Sequence, residues 1–192
     1  MNTVDNSLYN NDWYGNKIGA SRSQQILWYF FNVVFFINPL NPSSALKKFI
    51  LKLFGAKIGR GVVIKPGVNI KYPWKLFIGD YSWIGEKVWI DNLANVVIGK
   101  SVCISQGAML LTGNHNYAAK EFDLMVLAIS IEDGVWLGAK SVVCPGITCK
   151  THSVLSVQSV ATKNLEAFTI YQGNPAVAIK DRIIQGKKEY KA

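Results

Sequence analysis

The sequence predicts a mainly β chain wound as a parallel β-solenoid, with helices ahead of it and a capping helix behind. Three features of the residue order carry that expectation. Aliphatic or small residues recur every six positions between Ile58 and Ala161, a serine-capped helical period fills 42–55, and Asn174-Pro175 opens the segment after the repeats. A helix repeats every 3.6 residues and a half-buried strand every two, so neither sustains a period of six over this length, whereas a solenoid with three short faces per coil does. The 192 residues suit one domain. Apolar residues at 49% and charged residues at 17% exclude intrinsic disorder, and 16 Gly with 6 Pro exclude collagen and low-complexity linkers.

The first unit, 1–57, is read as helical and aromatic. Residues 22–37 have an almost wholly apolar face, and Ser43-Ser44 to Gly55 reads as an amphipathic helix with a cap and a stop. The apolar run Ile26–Ile37 is twelve residues and contains Asn32, short of the roughly 20 needed to span a bilayer. It lies behind 25 mostly polar residues and is followed by Asn38-Pro39-Leu40-Asn41-Pro42, with no cleavage-like site, so a signal peptide is not expected. Two readings of Trp28, Tyr29, Phe30, Phe31, Phe35 and Phe36 stay open: packing on the solenoid or between subunits, or lying on a membrane with Lys17, Arg22, Lys47, Lys48 and Lys52 at its headgroups.

The second unit, 58–172, is the solenoid. Inward positions begin groups at Ile58, Ile78 and Ile98, a spacing of 20 that reads as three hexads plus a two-residue corner bulge near Tyr72-Pro73 and Asn92-Leu93. From Ile131 the period is unbroken through Leu137, Val143, Cys149, Leu155 and Ala161. Glycines after the inward residue, at 59, 79, 85, 99 and 138, are expected to turn the corners through positive φ. Between Leu110 and Ile131 the phase breaks, which places an inserted loop at about 112–130 carrying Gly113-Asn114-His115-Asn116-Tyr117. The third unit, 173–192, is read as a helix near 175–186 and a basic tail, covering the open sheet edge.

The formal charge of +9 is unevenly placed: residues 1–77 hold ten basic and two acidic groups, 78–162 hold five and seven, and 163–192 hold six and three. Basic ends around a slightly acidic middle suit an anionic ligand or a lipid surface, not a continuous nucleic-acid track. Cys103, Cys144 and Cys149 form no C-x-x-C pair and read as reduced thiols of a cytoplasmic protein. With only two histidines, a three-histidine metal centre is not expected.

The repeats, the loop around His115, the run from Ile131 to Gly146 and the tail from Ala161 through Gly173-Asn174-Pro175 together resemble the hexapeptide-repeat, left-handed β-helix acetyltransferases, most closely the colanic acid biosynthesis group, over about residues 20–186. The handedness comes from the resemblance alone. It implies acetyl-CoA as donor, no metal, and a homotrimer whose sites form between subunits. The implied acceptor is a sugar hydroxyl of a cell-surface polysaccharide or a lipid-linked glycan, met in the cytoplasm or at the inner membrane face. His115 is implied as the base that deprotonates the hydroxyl, a role suited to an imidazole near neutral pH. Cofactor contacts are implied for Ala139, Val157, Thr162, Lys163 and Lys180, although both lysines also read as solvated charges. Asp91, Asn92 and Asn114 are candidate acceptor contacts, and Asp91 with Asn92 reads equally as an Asx corner. Relatives acting on galactosides place Tyr and Asn where this chain has Trp83 and Gly85, which points to a different acceptor. N-acetylation of an amino sugar and a non-catalytic scaffold are the alternatives. His152 reads as a surface residue.

Overall fold

The computed structural model describes residues 3–10, 13–14 and 17–186. Two helices close the starting end of the solenoid. Helix α1, Arg22–Phe31, begins at Ser21, whose hydroxyl accepts from the Gln24 amide, and passes into a π-helical turn over Asn32–Ile37. The amide of Asn32 donates to Asn69 Oδ1 (2.8 Å), and the Trp28 indole donates to the Ile70 carbonyl (2.9 Å), so this segment is bonded to the first coil. Helix α2, Ser44–Leu53, is capped by Ser43 and ends at Gly55, where φ is +91°. Trp28, Phe36, Leu51 and Phe54 continue the solenoid core into these helices. Lys47 is fully buried, its ammonium donating to the Asn41 carbonyl, and burial pushes its pKa down.

Five full coils follow. They comprise β1 (Lys57–Ile58), β2 (Val63–Ile64) and β3 (Asn69–Ile70); β4 (Leu76–Ile78), β5 (Trp83–Ile84) and β6 (Trp89–Asp91); and β7 (Val96–Ile98), β8 (Cys103–Ile104) and β9 (Met109–Leu111). The hairpin β10 (Gly113–His115) and β11 (Leu124–Val126) is inserted there. Coils resume with β12 (Ile129–Ile131), β13 (Trp136–Leu137) and β14 (Val142–Val143), then β15 (Thr148–Cys149), β16 (Val154–Leu155) and β17 (Val160–Ala161). The three faces are parallel sheets: β1-β4-β7-β12-β15, then β2-β5-β8-β13-β16 extended by two later strands, and β3-β6-β9-β14-β17. Register stacks the inward residues as expected: Ile58, Ile78, Ile98, Ile131 and Cys149 on the first face, and Ile70, Ile90, Leu110, Val143 and Ala161 on the third.

Two expectations are corrected. The segment 175–186 is not a helix: β18 (Thr169–Gly173) pairs in parallel with β16, and β19 (Ala176–Asp181) returns antiparallel to it. The last coil leaves β16 with an unpaired strand edge, which β18 satisfies, and β19 covers β18 in turn, so Asn174-Pro175 forms the hairpin turn after Gly173 at φ +106°. Lys187, Lys188 and Lys191 of the expected basic tail lie outside the described residues. The corner glycines also serve another purpose. At Gly79 a Cβ would stand 2.6 Å from the Gly99 carbonyl carbon, so close approach of the next coil demands glycine there. Positive φ falls two residues later, at Gly134 (+69°) but also at Tyr81, Ser101 and His152.

Candidate active site

The insertion is a β-hairpin that fixes an imidazole. His115 lies opposite Leu124 in the hairpin register, and its ring stacks on Phe122 at 4.4 Å and 3°. Nδ1 is 2.8 Å from the Phe122 carbonyl oxygen. A carbonyl only accepts, so Nδ1 carries the proton and Nε2 of the neutral ring keeps its lone pair. Phe122 sits at φ +50°, a conformation costly for an aromatic residue and held here by the hairpin turn. Asn114 is exposed, and its Oδ1 accepts the His115 amide at 2.8 Å. Tyr9 approaches the imidazole with ring centroids 5.7 Å apart. The hairpin is rooted by Thr112, fully buried, whose hydroxyl donates to the Asp91 carbonyl and accepts from the Ala94 amide.

A groove of about 890 Å³ runs along the second face. Ala139 and Val157 line it from successive coils, and Lys180 lines it from β19. The indole of Trp136 donates to the Ser105 hydroxyl (2.9 Å), and both residues form part of the wall. Arg182, two residues beyond Lys180, adds a second cation. It is partly spent, because Nη1 donates to the carbonyls of Gly134 (2.8 Å) and His152 (3.1 Å). Gly138 brings the backbones of two coils together, since a Cβ there would lie 2.6 Å from the Val157 nitrogen. Apolar walls, backbone amides and two cations at one end fit the pantetheine arm and phosphates of a coenzyme A thioester.

Ala139, Val157 and Lys180 thus converge. Thr162 and Lys163 are exposed beyond β17 and are not part of the groove wall. His115 is not part of it either: the groove follows the second face, and the His115 hairpin leaves from the end of β9 on the third. Asn92 is fully buried, its Oδ1 accepting the Tyr72 amide (2.9 Å) and its Nδ2 donating to the Tyr72 carbonyl (2.6 Å), so it presents no polar atom to an acceptor. Asp91 is half-buried, 3.0 Å from Lys71 Nζ, and lines a smaller cavity beside α1. Trp136, Ser105, Arg182 and Tyr9 were not singled out from sequence. A strand reading of 176–182 would have flagged Arg182, because alternation puts it on the same side as Lys180.

His152 stacks on Phe168 at a corner, at 4.8 Å and 2°, away from His115. Burial pushes the Cys149 thiol up to about 12, while Cys103 is exposed. Among the described residues no cluster of three or more His, Cys, Asp or Glu is placed to hold a metal ion.

No protein-family model matches the sequence. A putative colanic acid biosynthesis acetyltransferase of Escherichia coli K12 is 42% identical over 137 residues, covering 71% of this chain and 75% of that protein. The galactoside O-acetyltransferase of the same organism is 27% identical over 148 residues, covering 75% and 73%. Among solved structures, a hexapeptide-repeat acetyltransferase of Vibrio cholerae superposes with a TM-score of 0.77 at 21% identity, covering 86% of this chain and 96% of that one. The same protein in complex with acetyl coenzyme A gives 0.73 at 22% identity, covering 85% and 87%. That likeness is one of fold, the left-handed parallel β-helix.

Proposed function

As a member of the hexapeptide-repeat acetyltransferases, the family to which this chain belongs, the protein is an acyltransferase, and we propose that it transfers acetyl from acetyl-CoA to a sugar hydroxyl of a cell-surface polysaccharide or its lipid-linked precursor. The observation that carries the mechanism is the Nδ1–H bond from His115 to the Phe122 carbonyl, which leaves Nε2 as a directed base. Bound acetyl-CoA supplies an acetyl group already activated as a thioester. Nε2 removes the hydroxyl proton as the oxygen attacks the acetyl carbonyl, and the imidazolium formed returns that proton to the departing sulfur. The ester and free thiol are the products, and no cysteine takes part. A positioned base of this kind contributes about 10²–10⁴ in rate.

Ala139, Val157 and Lys180, joined by Trp136 and Arg182, hold the donor in the groove of the second face. Asp91 and Asn114 orient the acceptor, and Asn92 serves the corner beneath them. The separation of His115 from the groove within one chain supports a homotrimer in which the hairpin of one subunit meets the groove of its neighbour, where Thr162 and Lys163 would also come into reach. No helix among the described residues is long and apolar enough to cross a membrane. One stripe of the N-terminal segment is buried, but Tyr29 (70%), Leu40 (85%), Phe49 (60%) and Leu53 (67%) are exposed. Between Asp12 and Asp80 the sequence has ten Lys or Arg and no Asp or Glu; of the cations expected at the headgroups, Lys47 is buried and does not reach them. An apolar, cationic surface supports peripheral contact with an anionic inner membrane face, where a lipid-linked acceptor would be found.

The test is thiol release from acetyl-CoA across hydroxyl and amino sugar acceptors. His115→Ala should abolish acceptor-dependent release while leaving the circular dichroism spectrum unchanged. Normal turnover in that variant refutes the assigned base, and turnover with amines alone replaces O-transfer by N-transfer.

A further inference from the structure

The cavity beside α1 has the chemistry of a saccharide site and is separate from the donor groove. It measures about 360 Å³ and lies between α1 and the third face at β3 and β6. Its walls include two aromatic faces open to solvent, Tyr29 and Trp89, exposed by 70% and 40%. Beside them stand the Asp91–Lys71 ion pair and the amide side chain of Gln25. Gln25 Nε2 already donates to the Ala20 carbonyl (3.0 Å), so the ion pair is the main polar feature, and aromatic faces beside charged groups suit a pyranose ring, with its apolar C–H surface on one side and hydroxyls around the rim.

The cavity also leads toward the base. Strand β6 is the neighbour of β9, with Asp91 opposite Leu111 in the register, so the cavity lies one strand spacing, about 4.8 Å, from the strand that carries the His115 hairpin. Tyr72, on the cavity wall, shares the Lys75 ammonium with Trp13, at 5.9 and 5.0 Å from the two ring centroids, and the Trp13 ring meets Tyr14 edge-on at 5.3 Å. Nearer the base, the Tyr9 ring meets the His115 ring, with centroids 5.7 Å apart. Described residues on either side of these tyrosines contact the rest of the protein. The Asp5 amide donates to the Lys120 carbonyl, the Trp74 indole donates to the Ile18 carbonyl, and the Lys75 ammonium sits 5.0 Å over the Trp13 ring.

We infer that this cavity and the tyrosine row bind further sugar units of the acceptor, so that the enzyme acts on an extended saccharide chain and not on a single sugar. This rests on the acetyl-transfer reading for the unit placed at His115. Tyr14 and Tyr9 supply hydroxyls along the path, and Trp89 with Tyr29 supplies the far anchoring platform.

Binding and turnover separate the two claims. Galacto- and malto-oligosaccharides of one, two, four and six units are titrated calorimetrically against the donor-free protein and against Trp89→Ala and Tyr29→Ala. Affinity should rise with length in at least one series, and Trp89→Ala should weaken the longer members about tenfold while leaving the single sugar unchanged. Equal affinity at every length, no binding at any length, or a length dependence untouched by both substitutions overturns the inference. Thiol release with the same saccharides judges the other claim. Length-dependent binding without release keeps the cavity and removes acetyl transfer to these sugars, whereas release that is indifferent to length keeps acetyl transfer and removes the cavity.

Discussion

Replacing Asn92 by alanine distinguishes a corner tie from a substrate contact. The side chain is fully buried and spans one corner with two hydrogen bonds to the backbone of Tyr72, at 2.9 and 2.6 Å. Tyr72 is itself only 9% exposed, so water cannot replace the lost partners. Leaving a buried amide and a buried carbonyl unpaired costs about 1–3 kcal/mol each, and the small void adds to this, giving about 2–5 kcal/mol in total. For a chain of this size that lowers the thermal midpoint by roughly 5–15 °C. Asn92→Asp, nearly the same shape, should cost a comparable amount, because its carboxylate would face the Tyr72 carbonyl in place of the donated N–H. Scanning calorimetry gives the midpoint, and thiol release below it gives the acceptor KM, which should stay at the wild-type value. An unchanged midpoint with a raised acceptor KM would refute the reasoning and return Asn92 to the substrate site.

Gly138→Ala should harm both fold and donor binding, because its Cβ would stand 2.6 Å from the Val157 nitrogen and 2.7 Å from the Ser156 carbonyl carbon, backbone atoms that cannot swing aside. A loss of about 1–3 kcal/mol with a raised acetyl-CoA KM is expected, against no change for Gly186→Ala, which has nothing within 4 Å. The Cys149 thiol is raised by burial, and secondarily by Glu132, from 9.0 to about 12, so between those values the native state keeps a proton that the unfolded chain loses. Its contribution to stability is complete below pH 9 and falls at about 1.4 kcal/mol per pH unit above it. Urea midpoints at pH 8, 9 and 10 in wild type and Cys149→Ala check this, and identical slopes would refute it. Lys47 and Lys75, lowered by burial, act with the opposite sign in both proteins, so the comparison isolates the thiol.

Most of the solenoid was legible because its rule is local. An inward residue every six positions is enforced by a narrow core, and Ile58, Ile64, Ile70 and their successors stack as their spacing requires. The phase break before Ile131 likewise marked the hairpin bearing His115. The end of the chain was not legible by the same means. Asn174-Pro175 suits a helix start, but the open edge of β16 attracts a strand, and Ala176–Asp181 pairs there through its neighbour β18. Corner glycines carried a clear pattern with a misleading cause: Gly79 is required by the backbone of the coil above it, whereas φ is positive at residues such as Tyr81 and Lys87.

By itself the sequence determined the period, the register of the inward residues, the helices that close the starting end and the family, since each rests on short-range order along the chain. Tertiary structure decided which polar groups meet. Trp136 reaches Ser105 across 31 positions, Tyr9 comes against His115 and Phe122 fixes its tautomer, and Asn92 is turned inward to Tyr72 instead of outward to an acceptor. These pairings depend on coil stacking and on hydrogen-bond partners far apart in the chain, and spacing along one strand of sequence does not specify a partner in the next coil.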